Sequence, residues 1–228
     1  MWTREQVART IDHAALKANM TDADITAACE LGKKYRTASV CVRPSDVPLA
    51  ARLLAGSDVK VCCVVGFPHG AHKPETKAAE ARAAIADGAV ELDMVMNIGK
   101  FLSGDRDWVR RDIEGVVAVA KAGGALVKVI LETGFLTLEQ VADACRIARD
   151  AGADFVKTST GFGEGAATKE VVDVMLRTVG DTMGVKASAG IRDYKTAAAF
   201  LEQGCRRLGT AGGTAVIMGE APAGGEGY

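Results

Sequence analysis

The sequence has almost no net charge. Its 28 basic residues meet 29 acidic ones and leave −1, so the overall balance selects neither a nucleic acid nor an acidic membrane surface. An anionic small molecule would need a local site. Long apolar runs are also missing. None approaches the roughly 20 residues that cross a bilayer, which excludes a helical membrane span. The stretch after Met1, Trp2-Thr3-Arg4-Glu5-Gln6, has none of the character of an export signal, and a cytoplasmic protein is expected. There is no C-x-x-C pair. Cys29, Cys41, Cys62, Cys63, Cys145 and Cys205 are scattered through apolar runs, the pattern of reduced core thiols rather than a disulfide framework. Histidine is scarce, and His69 and His72 stand three apart with no third ligand in view, so no metal site is expected. Gly161-Phe162-Gly163-Glu164-Gly165 misses the G-x-G-x-x-G spacing, which removes a dinucleotide loop.

What is present is an alternation. Short apolar strands are expected at 10–13, 37–42, 58–66, 90–96, 126–131, 153–157, 184–187 and 207–210. Helical patterns separate them, at 21–35, from Ser45 as a cap, and at 74–87, 105–122, 137–151, 168–179 and 193–203. A short amphipathic helix with Thr3 as N-cap precedes them all. Eight such units joined by short links predict a single (β/α)8 TIM barrel, an α/β fold of about this length. An open doubly wound sheet is the alternative, because one misplaced element would spoil the count. Residues 1–218 form the expected barrel domain. Residues 219–228 show no hydrophobic period and read as a flexible C-terminal tail.

Two strands end on lysine: Phe155-Val156-Lys157 and Val185-Lys186. If these strands are parallel neighbours, the amines sit at equal heights, roughly 5 Å apart. Two such cations repel, so one loses its proton more readily and becomes a nucleophile toward carbonyls. The competing reading is a pair of lysines that only reach solvent at the strand ends. Reactive residues of a barrel lie at the C-terminal ends of its strands. Lys60 and Lys128 come earlier in theirs and fall on the stability side. In Glu91-Leu92-Asp93, alternation sends both acids the same way, with Glu91 nearer the bottom. Asp93 could move protons through a water, or it could simply hold Lys186 or Lys128 as an ion pair. The turns Gly190-Ile191-Arg192 and Gly209-Thr210-Ala211-Gly212-Gly213-Thr214 offer free backbone N–H groups to a phosphate, unless they serve only as tight turns. Cys41 ends a strand at the same mouth, as a pocket wall or a packing thiol.

Ile11-Asp12-His13, Ser39-Val40-Cys41-Val42, Val65-Gly66-Phe67-Pro68, Glu91 to Val95, Lys128 to Thr133, Phe155-Val156-Lys157-Thr158-Ser159-Thr160-Gly161-Phe162, Val185 to Gly190 and Arg207 to Thr210 together closely resemble the deoxyribose-phosphate aldolase family. The resemblance runs through nearly the whole chain in order. It implies a class I aldolase that cleaves 2-deoxyribose 5-phosphate to glyceraldehyde 3-phosphate and acetaldehyde, without metal or cofactor. It implies Lys157 as the Schiff-base lysine, Lys186 as the neighbour that depresses its pKa, Asp93 as the proton-relay carboxylate, and Tyr228 as a C-terminal tyrosine that assists proton transfer. Cys41, Thr158, Gly161, Gly190, Gly209, Ala211 and Gly212 complete the expected substrate-binding set. The expected partners are a sugar phosphate and acetaldehyde, with no nucleic acid or membrane, and a homodimer as assembly. The chain departs from the family at Ala14, where threonine is usual, at Ala211-Gly212, where two serines are common, and at Ala189, where glycine is common. Those departures favour a second reading, a Schiff-base aldolase with altered acceptor preference; a third, a sugar-phosphate-binding barrel without turnover, is opposed by the presence of both lysines and Asp93.

Overall fold

A computed structural model describes residues 1–220. Eight parallel strands close on themselves in chain order: β1 (Ile11–Ala15), β2 (Ser39–Val42), β3 (Lys60–Val65), β4 (Glu91–Val95), β5 (Leu126–Ile130), β6 (Phe155–Lys157), β7 (Gly184–Ser188) and β8 (Arg207–Thr210). The closing pair is β1 with β8, Asp12 beside Gly209. The barrel expectation therefore holds, and the open sheet is set aside.

The helices are α1 (Arg4–Ala8), α2 (Asp22–Tyr35), α3 (Val47–Leu54), α4 (Pro74–Ala86), α5 (Ile98–Leu102), α6 (Arg106–Gly123), α7 (Leu138–Asp150), α8 (Lys169–Val179), α9 (Tyr194–Gln203) and α10 (Gly213–Ile217). Their starts were written locally. Thr3, Thr21 and Thr137 each close a capping box, with Gln6, Asp24 and Gln140, satisfying N–H groups that the first turn leaves open. Ser45 does not cap α3. It lies inside a 3₁₀ turn, Pro44–Asp46, and its hydroxyl goes to Asp46 at 3.3 Å. The five-residue helices α5 and α10 were not anticipated.

Strand alternation divides the molecule into two interiors. Val40, Val61, Leu92, Val127, Val129, Val156, Val185 and Leu208 point outward and pack under the helices in one large apolar cluster. Inside the barrel a small apolar cluster gathers Leu16, Cys41, Cys62 and Val64, flanked by Ala14 and Phe67. Branched aliphatics usually fill such a barrel; here charged side chains from β1, β4, β5, β6, β7 and β8 take much of that space. Between barrel and helices lies a buried ion pair, Lys77 of α4 with Asp112 of α6 at 2.5 Å. The same amine donates to the Val95 carbonyl at 2.8 Å, which pins the end of β4.

After α10 the chain stays on the barrel as far as Glu220. Its carboxylate accepts from Lys34 and from the Tyr35 hydroxyl. Tyr228 and most of the expected tail lie outside the described residues. Among those described, no helix is long and apolar enough to cross a membrane, and all six cysteines are buried and free.

Candidate active site

Register decides what the inward positions meet. Lys157 pairs with Lys186, and Lys186 with Arg207; Asp93 pairs with Lys128. In a closed cylinder these inward side chains converge on the axis, where Asp93 becomes the hub. Its Oδ2 lies 2.8 Å from Lys157 Nζ and 2.6 Å from Lys186 Nζ, and its Oδ1 lies 2.8 Å from Lys128 Nζ. Lys186 also reaches Asp12 at 2.6 Å, and Lys128 reaches Glu91 at 2.6 Å and Asp12 at 3.4 Å. Arg207 closes the floor with two hydrogen bonds to Glu91, at 2.7 and 2.9 Å, and one to Asp12 at 2.5 Å. As alternation required, Glu91 lies on the same side as Asp93 and deeper.

The electrostatics follow from this packing. Burial would raise the carboxyl of Asp93, but Lys128, Lys157 and Lys186 outweigh it and hold the group well below the usual carboxylate range. Asp12 is depressed in the same way by Lys128, Lys186 and Arg207. Burial would lower Lys186, but Asp12 and Asp93 outweigh it, so that its amine stays above the ordinary lysine value. Lys128 is raised for the same reason. Both lysines stay protonated at neutral pH. Asp93, expected beside the lysines, contacts both Lys157 and Lys186 through one carboxylate oxygen.

The cluster holds four cations, Lys128, Lys157, Lys186 and Arg207, against three carboxylates, Asp12, Glu91 and Asp93. Lys157 is the least compensated. It touches one carboxylate, where Lys186 touches two and Lys128 three. Lys157 and Lys186 also line a cavity of about 430 Å³ at the C-terminal mouth of the barrel.

Of the residues expected at the site, Cys41, Gly161, Gly190, Gly209, Ala211 and Gly212 stand on the cavity wall with the two lysines, and Asp93 lies beneath. Thr158 does not reach the wall. Its hydroxyl donates to the Ser188 carbonyl at 2.9 Å and accepts from the Ser188 N–H at 3.0 Å, so it ties β6 to β7. Gly209 is required by space: a Cβ there would lie 2.9 Å from Ser188 Oγ and 3.2 Å from Lys186 Cε. Ala189 and Gly190 both take left-handed backbone, at φ +70 and +81, a turn that glycine adopts freely and alanine only with strain. Asp12, Thr160 and Ser188 also line the cavity without a role expected from the sequence, as does Arg192 of the turn expected to take a phosphate. The signal for Asp12 was available, an acid inside the apolar run Ile11-Asp12-His13, the same signal that exposed Asp93.

Cys41, Cys62 and Asp93 bring three ligand-type atoms within 4.8 Å of one another. The carboxylate of that group is already held by three lysines, whose charges oppose a cation.

A family model described as DeoC/LacD family aldolase matches residues 6–220. The chain belongs to that family of aldolases. Relatives agree along almost its entire length. A deoxyribose-phosphate aldolase of Geobacillus sp. (strain WCH70) is 53% identical over 94% of this chain and 96% of its own. One from Bacillus subtilis (strain 168) is 50% identical over 97% and 99%. The tetrameric deoxyribose phosphate aldolase of Aeropyrum pernix superposes with a TM-score of 0.88, at 32% identity over 95% of this chain and 91% of that one. As a member of that family the chain is a carbon–carbon lyase.

Proposed function

We propose that the chain is a deoxyribose-phosphate aldolase, cleaving 2-deoxy-D-ribose 5-phosphate reversibly to D-glyceraldehyde 3-phosphate and acetaldehyde through a Schiff base on Lys157. The observation that carries this is the position of Lys157: on the cavity wall, at the end of β6, with one carboxylate contact shared with a protonated Lys186. As a free amine, Lys157 leaves three cations against three carboxylates. It attacks the substrate carbonyl, and loss of water gives an iminium that restores the positive charge. The iminium takes up the electron pair when the carbon–carbon bond breaks, leaving an enamine on the lysine and an aldehyde product. Protonation of the enamine and hydrolysis release acetaldehyde and regenerate the amine.

In this reading Asp93 serves the proton transfers. Asp93 is held ionised and acts through a water, and Lys186 keeps a fixed charge beside the reacting nitrogen. Tyr228 assists at the enamine, as the family resemblance implies. Residues 1–218 are the catalytic domain, working as a homodimer. The turns at Gly190 and at Gly209 to Gly212 take the phosphate on backbone N–H groups.

Borohydride added with acetaldehyde should fix a reduced adduct on Lys157, read by mass spectrometry of its peptide. An unmodified Lys157 under conditions where other lysines react would end the proposal. A second reading, an aldolase that prefers unphosphorylated acceptors, is favoured by one observation: Ala14, Ala211 and Gly212 line the cavity without a hydroxyl. Comparing turnover of phosphorylated and plain deoxyribose separates the two.

A further inference from the structure

Glu132, just past β5, is a buried carboxylate with no cation in direct contact among the described residues. It is 2% exposed, and among the described residues it makes no salt bridge within 4.0 Å. Its backbone is left-handed, φ 53 and ψ 63, a conformation that costs a non-glycine residue energy. Burial pushes its carboxyl above the usual range, against hydrogen bonds from Thr160 and the charge of Lys157. Two penalties thus fall on one residue, and its contacts show what they sustain.

Among the described residues, all the hydrogen bonds of its carboxylate go to one loop. The Thr160 N–H donates to its two oxygens at 3.1 and 3.3 Å, and the Thr160 hydroxyl donates to Oε2. That hydroxyl accepts in turn from the Phe162 N–H at 3.0 Å. The two loops also mate through backbone. Thr133 N–H donates to the Thr158 carbonyl at 3.0 Å, and a side chain at Gly134 would lie 1.9 Å from the Glu164 carbonyl oxygen. The loop held this way begins directly after Lys157. It carries Thr160 and Gly161 on the cavity wall, and Phe162, whose ring meets Phe67 edge-on at 5.2 Å.

We infer that Glu132 is a positioning residue for the aldolase reaction: its carboxylate fixes the turn from Thr160 to Phe162, and so the wall that orients a substrate carbonyl toward Lys157. This rests on the proposed aldolase activity. Glu132→Gln keeps the shape but replaces one acceptor oxygen by an NH2 donor, so that either the N–H or the hydroxyl of Thr160 faces a donor instead of an acceptor. Thr160→Val removes the same link from the other side.

In the full-length chain, each variant should lower kcat by about tenfold or more, in the range found for residues that orient catalytic groups from behind. Melting temperature should change little, and amide exchange at Thr160 and Phe162 should quicken. The double variant should lose little more than either single one, because both cut the same link. Unchanged kcat in both variants, or losses that multiply in the double, would overturn the inference. Should Glu132→Gln not fold, Thr160→Val decides alone. If the wild type gives no borohydride adduct on Lys157, the aldolase reading fails instead. Unchanged exchange at Thr160 and Phe162 in Glu132→Gln would then sink the clamp independently.

Discussion

Replacing Lys186 by leucine removes a cation that shares one oxygen of Asp93 with Lys157. The nitrogens lie 2.8 and 2.6 Å from that oxygen, so they are no more than 5.4 Å apart, the sum of 2.8 and 2.6. At that separation, with an effective dielectric constant of about 20, two unit charges repel by about 3 kcal/mol. That is worth about two pH units. Removing the charge also leaves Asp12 and Asp93 with one cation fewer, which acts in the same direction. Schiff-base formation needs the free amine, so the rising limb of the pH–rate profile should move to higher pH by about two units, and activity at a fixed pH on that limb should fall about a hundredfold. Initial rates of retro-aldol cleavage measured across pH, corrected for the folded fraction from thermal melts, test this. A variant that is slower at every pH, with a profile superimposable on that of the wild type, would refute the electrostatic reasoning.

Two further predictions concern stability. His13, 8% exposed and 3.0 Å from the Thr214 hydroxyl, is pushed by burial from 6.5 down to about 4. A depressed folded value stabilises above the unfolded one, so this contribution, about 3 kcal/mol, is whole above pH 6.5 and lost as pH falls through about 4. NMR titration of the imidazole with a midpoint near 6.5 would contradict it. Lys77→Met strands the Asp112 carboxylate in the helix layer and should destabilise by about 3–5 kcal/mol, whereas Lys77→Met with Asp112→Leu should recover most of that. Denaturant unfolding in which the double variant is no more stable than the single one would show that the loss was not an unpaired charge.

The barrel was legible because its strands are buried on both faces and so appear as near-continuous apolar runs between capped helices. Thr21 and Thr137 announced α2 and α7 as N-cap residues with acids in the turn that follows. Helices α5 and α10 escaped because five residues hold less than one and a half turns and show no period. Ser45 misled because a serine before an apolar run looks the same whether the next turn is α or 3₁₀.

In the site, the sequence by itself put one lysine at the end of β6 and another late in the next apolar run, and the observed parallel register sets the two at equal height. The sequence also determined that Asp93 and Glu91 share a face. Only the tertiary structure decided their surroundings. Closure of β1 on β8 brings Arg207 to Asp12 across 195 positions of chain, and the barrel axis gathers seven charged groups from six strands. Glu132 finds Thr160 across 28 positions only because the turns after β5 and β6 press together. Local chemistry is written in neighbouring residues, whereas the compensation of a buried charge depends on which distant side chains a closed cylinder brings within 3 Å, and no stretch of sequence encodes that alone.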